Sequence, residues 1–443
     1  MKLTVGAKTI IDKLNAHGFE AYAVGGFVRN SLLDIEVCDV DVTTSATPDK
    51  IVEVFSDYKV YLTGIKHGTV TIIANGEPIE VTTYRIDGEY EDNRHPDSVI
   101  FVSDLKSDLM RRDFTINAMA YDGKEVIDLF GGKEDINNKI IRAVGNPCDR
   151  FEEDALRILR ALRFASVLDF EIEPETAKAI KEKAHLLKNV SKERIFSELN
   201  KLILGKGVEK VLINHKEAIF EVISELKPCY NFNQNSKFHA YDVYVHTAKS
   251  VQLSSVDRSV RWALLLHDIE KPSTYTVDDK GVGHFYGHQR KSAETAVKIL
   301  KGLKADNNLI SEVYTLITLH DCKTEISRGE VKKMLSQYGV AIIKKLIEVK
   351  IGDALSHASP FAELRYDLTV NFAKVVSDII SKNECFTLKR LKIDGNDVKM
   401  MGYSGSEIKK VLNTLLLDVM FDRVENDKEK LLERLKNDGA FRK

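Results

Sequence analysis

The sequence predicts an α/β N-terminal head built on a mixed β-sheet, followed by an all-α neck, body and tail. Short β-branched segments bounded by Gly, Asp or Asn crowd the first 145 residues. From Arg150 onward apolar residues recur at spacings of three and four, as in Ala155, Ile158, Leu159, Leu162 and Phe164, almost to the end. A Pro/Asn-rich stretch at 227–236 interrupts the helical pattern and reads as a linker.

In chain order, residues 1–30 give an amphipathic helix and then a strand at 20–24 that runs into Gly25-Gly26. Further strands are expected at 38–43, 60–63, 70–73, 79–84 and 99–101. The polar segment 87–96 between two of them reads as a loop. At the other end, 422–437 is expected to form a terminal helix with Val424, Leu431, Leu432 and Leu435 on one face. With 443 residues the chain is long enough for roughly three domains of about 150 residues.

Composition excludes some classes and leaves function open. Sixty-five basic and 67 acidic residues give a net charge of −2, so RNA binding would need a local patch. The N-terminal segment carries charges throughout and no long apolar run, so neither a signal peptide nor a membrane span is expected and the default location is the cytoplasm. Five dispersed cysteines, Cys38, Cys148, Cys229, Cys322 and Cys385, fit reduced thiols better than a disulfide framework or a zinc ribbon.

Gly25-Gly26-Phe27-Val28-Arg29 stands between a strand and a helical run. Glycines there let backbone N–H groups approach an anion, the helix N-terminus adds favourable partial charge, and Arg29 can clasp phosphate oxygens. The same pair could be a plain turn. Asp39-Val40-Asp41 follows ten residues later, and on a strand the period of two puts both carboxylates on one face. Adjacent carboxylates repel unless a cation neutralises them, and hard oxygen ligands at this spacing suit Mg²⁺ with nucleotide phosphates completing the shell. Glu80, acidic within a β-branched segment, is a candidate third carboxylate. In a two-metal reaction one ion activates a 3′-hydroxyl and the other holds the triphosphate.

Together with Arg111-Arg112-Asp113-Phe114-Thr115-Ile116-Asn117-Ala118, the run from Asp128 to Asp135, and Glu153-Asp154-Ala155-Leu156-Arg157-Ile158-Leu159-Arg160-Ala161-Leu162-Arg163, these residues resemble the ordered motifs of class II CCA-adding tRNA nucleotidyltransferases, a family that also contains bacterial poly(A) polymerases. The resemblance implies a polymerase-β-like head at 1–145, a nucleotide-selecting and RNA-binding neck at 146–226, an HD-like helical domain at 227–360 and an RNA-binding tail at 361–443. It further implies Asp39 and Asp41 as ligands of two Mg²⁺ ions with Glu80 in the catalytic set, and Gly25, Gly26 and Arg29 on the triphosphate. Arg112, Asp113 and Asn117 fall to nucleotide binding, and Glu153, Asp154 and Arg157 to choice of the base. On a helix, positions i and i+3 share a face, so Asp154 and Arg157 are expected to offer an acceptor and a donor fork together to cytosine or adenine. Arg160 and Arg163 continue that stripe toward the phosphates. Asn30 stands where the family has aspartate, and with an acceptor but no charge it is expected to support Arg29 less firmly. The loop at 87–96 resembles one associated with adding the terminal A.

His246, His267-Asp268, His284, His288 and His320-Asp321 lie within 76 residues on segments that otherwise read as apolar helices. The run Leu265 to Pro272 resembles the central motif of HD phosphohydrolases, with Glu270 in place of the usual glycine, where a carboxylate could crowd a metal. His246, His267, Asp268 and His288 are the candidate ligands of an additional divalent transition metal. The leading expectation is addition of CCA to tRNA from CTP and ATP. The alternatives are poly(A) synthesis, partial CC- or A-addition, or a phosphohydrolase with a regulatory nucleotide-binding head.

Overall fold

The computed structural model describes residues 1–37, 39–87, 99–235 and 240–437, so the expected loop at 87–96 lies, apart from its first residue, outside the described residues, as does Cys38. The chain divides into two compact units, Met1–Lys227 and Pro228–Lys443.

The first unit opens with helix α1 (Val5–Ala16), whose Thr4 hydroxyl caps Ala7 N–H and whose Ile10, Ile11 and Leu14 are buried. Strand β1 (Ala21–Val24) leads through Gly25 into helix α2 (Gly26–Leu32). Then follow β2 (Asp41–Thr44), α3 (Pro48–Val54), β3 (Lys59–Tyr61), β4 (Thr69–Ala74), β5 (Glu77–Thr83), β6 (Arg85–Asp87), β7 (Val99–Phe101), α4 (Leu105–Met110), β8 (Met119–Tyr121), β9 (Val126–Asp128) and α5 (Gly132–Asn138). Seven strands form one mixed sheet in the order β3-β4-β5-β2-β1-β8-β9, and β6 pairs with β7 separately. β2 and β5 run parallel, and the other neighbours in the large sheet antiparallel.

Register positions the chemistry. Val24 pairs with Asp41, which brings the Gly25 turn beside the start of β2. Val42 pairs with Val81 in parallel, so Glu80 stands level with Asp41 on the next strand. The strand expected at 38–43 begins only at Asp41, and Asp39 and Val40 lie in the approach to it. The alternation nevertheless holds, with Val40 buried and both aspartates exposed. β8 escapes the sequence reading because Met119, Ala120 and Tyr121 are all buried and show no alternation, and β9, half-buried at all three of its positions, shows none either. Val24, Leu109, Ala118, Ala120 and Val144 form one cluster that packs α4 against β1 and β8, so Arg111 and Arg112 emerge beside the strand ends.

The neck starts with α6 (Pro147–Glu153), capped by Asn146, and continues as α7 (Leu156–Leu168). Asp154 separates the two with an extended backbone, φ −137° and ψ 101°. The expectation that one helix carries Asp154 and Arg157 is therefore corrected: Asp154 is in the break, and its Oδ1 accepts from Leu156 N–H at 3.0 Å. A carboxylate that satisfies free N–H groups at a helix start is more stable there than inside the helix. Helices Pro174–Lys183, Lys192–Leu202, Val208–Asn214 and Lys216–Val222 complete this unit. Gly205 allows a tight approach, since a Cβ there would meet Ser166 Oγ at 2.1 Å.

The second unit is helical, with long elements Val243–Gln252, Arg258–Leu266, His288–Gly302, Asn307–Leu319, Arg328–Leu355 and Phe361–Ser381. His284, expected on a helix, instead lies on a two-residue strand paired to Thr276. The terminal helix runs only over Lys428–Asn437, because residues 422–427 form turns, with Asp422 at φ 54°. Leu431 and Leu435 join Val398, Val411 and Leu415 in a local core, against which Val424 and Leu432 pack. Among the described residues the cysteines are free thiols, and no helix is long and apolar enough to cross a membrane.

Candidate functional site

In the first unit a cleft of about 460 Å³ gathers motifs that lie far apart in the chain: Gly25, Gly26 and Arg29, then Asp41, then Arg112, Asp113 and Asn117, then Asp154, Arg157, Arg160 and Arg163. Glycine is needed at 25, where φ is +68° and an added methyl would also approach Arg112 Nη1 to 3.4 Å. Asn30 keeps Arg29 in place, because its Oδ1 accepts from Nε at 3.0 Å and from Nη2 at 2.8 Å. Arg29 Nη1 also donates to Asn117 Oδ1. The loss of charge at Asn30 thus leaves Arg29 fully oriented.

Asp41 faces the cleft, with Glu80 and Asp39 outside its lining. Crowding by the surrounding protein raises the Asp41 pKa first, the Glu80 and Asp39 carboxylates add to it, and Arg112 pulls the other way. This carboxylate therefore favours a neighbouring cation, and the oxygen donors suit a hard one. Arg112 is held by Asp108, buried on α4, at 3.3 Å, and its own Nε is buried without a hydrogen-bond partner. Asp108 also accepts from Thr43 on β2 at 3.1 Å and from Arg111 at 2.9 Å, tying α4 to the strand that carries Asp41.

Three guanidiniums crowd the ring of Phe164: Arg163 at 4.0 Å, Arg29 at 4.8 Å and Arg160 at 5.5 Å from its centroid. Burial and the charges of Arg163 and Arg160 pull the Arg29 pKa down to about 10, with Asp113 opposing. Positive charge at this end of the cleft exceeds what the carboxylates balance locally, as a phosphate site requires. Asp113 spends its carboxylate on the protein: Oδ1 accepts from Phe114 N–H at 2.9 Å and Asn117 Nδ2 at 3.0 Å, while Oδ2 takes both Nε and Nη2 of Arg160. Arg160 and these donors hold its pKa down to about 2 against the opposing effect of burial.

The base-selection candidates are also tethered. Arg157 Nη1 donates to Glu153 at 2.6 Å and to Arg150 O at 3.2 Å, and Nη2 to Arg111 O at 3.1 Å. Arg194 holds Asp154 Oδ2 at 2.9 Å, and Glu198 lies 3.0 Å from Arg163 Nε. Sequence reasoning missed Phe164, Asp108, Arg194 and Glu198 as site residues. Asp108 had one signal, an acidic residue three positions before the Arg-Arg-Asp run; the others look like ordinary helix residues.

The four predicted ligands in the second unit, His246, His267, Asp268 and His288, do converge, and His320 and Asp353 join them. Asp268 is the centre. Its Oδ2 lies 3.1 Å from His267 Nε2, 3.6 Å from His246 Nε2 and 2.7 Å from Lys271 Nζ. Its Oδ1 lies 3.3 Å from His288 Nε2 and 3.9 Å from His320 Nε2. Asp353, which sequence reading missed because it sits 107 residues from His246 in a helical run, approaches His246 Nε2 to 3.1 Å. Glu270 is turned away, accepting from Thr295 Oγ1 at 2.6 Å and bonded to Ser273, so the expected crowding of a metal does not occur. His284 pairs with Asp278 instead.

The family described as "Poly A polymerase head domain" matches residues 21–142, "Probable RNA and SrmB- binding site of polymerase A" matches 169–216, and "HD domain" matches 243–358. A CCA-adding enzyme of Ligilactobacillus salivarius is 36% identical over 97% of this chain and 95% of its own length. One of Staphylococcus haemolyticus is 34% identical over 97% of each. The solved structure of a Bacillus stearothermophilus CCA-adding enzyme in complex with CTP superposes with TM-score 0.69 at 29% identity, covering 99% of this chain and 98% of that one. With that level of identity across nearly its whole length, the chain belongs to the family of CCA-adding enzymes.

Proposed function

We propose that the cleft between Gly25 and Phe164 performs template-independent nucleotidyl transfer, adding or repairing the 3′-terminal CCA of tRNA from CTP and ATP. The observation that carries this reading is the convergence of glycine turn, carboxylate, Arg-Arg-Asp run and arginine helix on one cleft of about 460 Å³. The head at 1–145 supplies catalysis, 146–226 nucleotide selection and RNA contact, and 361–443 further RNA contact. The cytoplasm, where tRNA is processed, fits such an activity.

Enzymes of this class need a divalent metal. Asp39 and Asp41 would hold Mg²⁺ with Glu80 beside them, a fit supported by the raised pKa of Asp41 among like charges. Bound there, the ions would supply activation of the 3′-hydroxyl and stabilisation of the leaving pyrophosphate. The chain's own groups do the remaining work. Gly25 and Gly26 present backbone N–H groups to the triphosphate, and Arg29, Arg160 and Arg163 balance its charge around Phe164. Arg112, which lines the cleft, adds a further guanidinium, and Asn117 with Asp113 fixes the angle of Arg29 and Arg160. Glu153, Asp154 and Arg157, each held by a neighbour, present fixed hydrogen-bonding edges to the base, and pre-set edges reject uracil and guanine because mismatched polar groups stay unpaired.

The test is incubation with tRNA lacking its 3′ end and with CTP and ATP, singly and together, followed by product sequencing. Two C residues and one A with termination are expected. Long A tails without C incorporation would overturn the reading in favour of a poly(A) polymerase.

A second activity is supported by the cluster around Asp268. His267 Nε2, His288 Nε2 and Asp268 Oδ1 are buried without a hydrogen-bond partner, while Lys271 Nζ pairs with Oδ2 at 2.7 Å. Such groups suit a divalent transition metal held by His246, His267 and Asp268 with Asp353, in a metal-dependent phosphohydrolase.

A further inference from the structure

We infer that Asp108 is the positioning residue for the triphosphate end of the cleft: it anchors one nitrogen of the Arg112 fork so that the other is aimed at the Gly25 turn, and it keeps Arg112 off Asp41. The inference rests on the reading of this cleft as a nucleoside triphosphate site, and it adds a residue that itself touches no ligand.

Asp108 is fully buried on α4 and lies outside the lining of the cleft. A buried carboxylate is costly unless donors surround it, and this one has two on each oxygen. Oδ1 accepts from Arg111 Nε at 2.9 Å and from the backbone N–H of Arg85, at the start of β6, at 3.4 Å. Oδ2 accepts from Thr43 Oγ1 at 3.1 Å and from Arg112 Nη2 at 3.3 Å. Burial pushes its pKa up, but the Arg111 and Arg112 guanidiniums and the hydrogen bonds from Arg111 and Thr43 outweigh it and hold the group below its ordinary value. Thr43 stands two positions after Asp41 on β2, so the anchor is referenced to the strand that carries the cleft carboxylate.

Arg112 is divided between two directions. Nη2 is taken by Asp108, and Nη1 lies at the glycine turn, where a methyl added to Gly25 would stand 3.4 Å from it. The guanidinium is planar and rigid, so fixing Nη2 also fixes the direction of Nη1. Arg112 acts on Asp41 strongly enough to draw its pKa down. Without a carboxylate of its own, Arg112 would take Asp41 as its partner and compete there with a cation. The same anchor reaches the base-selecting residues, since the carbonyl of Arg111 accepts from Arg157 Nη2 at 3.1 Å.

The sign of one substitution separates positioning from simple electrostatics. Two guanidiniums, Arg111 and Arg112, stand against the one carboxylate of Asp108 and leave one net positive charge. By Coulomb's law alone, neutralising Asp108 makes this corner more positive and tightens the binding of an anion. A positioning role gives the opposite result, because an unanchored guanidinium must be ordered at the moment of binding and has Asp41 as an alternative partner.

The experiment titrates CTP into the full chain by calorimetry, in chelator, so that binding is read without metal or turnover. Asp108→Asn, nearly isosteric, is expected to weaken CTP binding roughly tenfold, the strength of one charge-assisted hydrogen bond. Arg112→Gln should weaken it by a similar factor, and adding Asp108→Asn to Arg112→Gln should cause no further loss. Circular dichroism and thermal unfolding show which variants are folded. If Asp108→Asn alone does not fold, the pair Asp108→Asn with Arg111→Gln restores the parent's net charge, and it should bind CTP more weakly than Arg111→Gln by the same factor. Unchanged or tighter binding in folded Asp108→Asn, or in the charge-balanced pair relative to Arg111→Gln, overturns the positioning role and leaves the triphosphate reading standing. Parent affinity in Arg112→Gln removes Arg112 from the site and the role of Asp108 with it. No CTP binding by the folded parent overturns both readings.

Discussion

Arg160 closes on Asp113 with two donors to one oxygen, Nε at 2.8 Å and Nη2 at 2.6 Å from Oδ2. The pair joins α7 to the Arg-Arg-Asp run of the head, and it holds the Asp113 pKa at about 2. A carboxyl whose folded pKa lies below its unfolded value near 3.9 stabilises the fold above that value and loses the contribution as the pH falls through the folded one. Asp113→Asn is therefore expected to lose about 2 kcal/mol at neutral pH, with the difference from the parent shrinking between about pH 4 and pH 2. Urea denaturation across that range checks it, and a difference independent of pH would contradict it.

Asp41 presents the opposite case. The crowding and like charges that raise its pKa mean that its ionised form costs stability in the metal-free protein. Asp41→Asn should reduce nucleotide transfer by about a thousandfold or more, while thermal unfolding without metal occurs at the same temperature or higher. A fall in melting temperature together with surviving transfer would refute the assignment.

The hydrogen bonds of Arg157 to Glu153 and to two backbone carbonyls predict that its geometry matters as much as its charge. Arg157→Lys keeps the charge and loses the fork. We expect kcat/KM for CTP and ATP to fall by roughly 10- to 100-fold, with weaker discrimination against UTP. Single-nucleotide incorporation assays with all four triphosphates measure both effects.

Phe164 offers its ring to three guanidiniums, and Phe164→Leu removes those contacts with little change in apolar volume. With about 0.5–1 kcal/mol for an exposed cation–π contact and more when desolvated, CTP affinity should fall roughly three- to tenfold. Titration calorimetry tests this. An unchanged dissociation constant would show that the ring only fills space.

Much of the head was readable because its residues repeat local rules. β7 coincides with the expected strand, and β1, β4 and β5 differ from expectation by one or two residues, since β-branched runs between Gly and Asn leave little alternative. β8 and β9 were not readable, because neither three-residue strand alternates, the first buried throughout and the second half-buried throughout. The two-residue break at Asp154 was hidden by an apolar pattern that continues across it, and only the preference of aspartate for free N–H groups distinguishes the position. In the cleft, the glycines, Asp41 and the arginines were legible as residue types with a recognisable spacing. Phe164 was not, because a phenylalanine on an apolar helix stripe looks like core until the three arginines around it are seen. Asp353 was similarly invisible, since its chemistry depends on His246 and His267, which only the tertiary fold brings near.

Glu270 stands two positions after Asp268, yet its carboxylate is engaged by Thr295, Ser273 and Lys291 on the flank away from the imidazoles. A signature search that requires glycine at that position would file such chains with inactive remnants. The side chain there answers to its own neighbours and leaves the imidazole cage intact, so a carboxylate at this position does not by itself erase the chemistry next door.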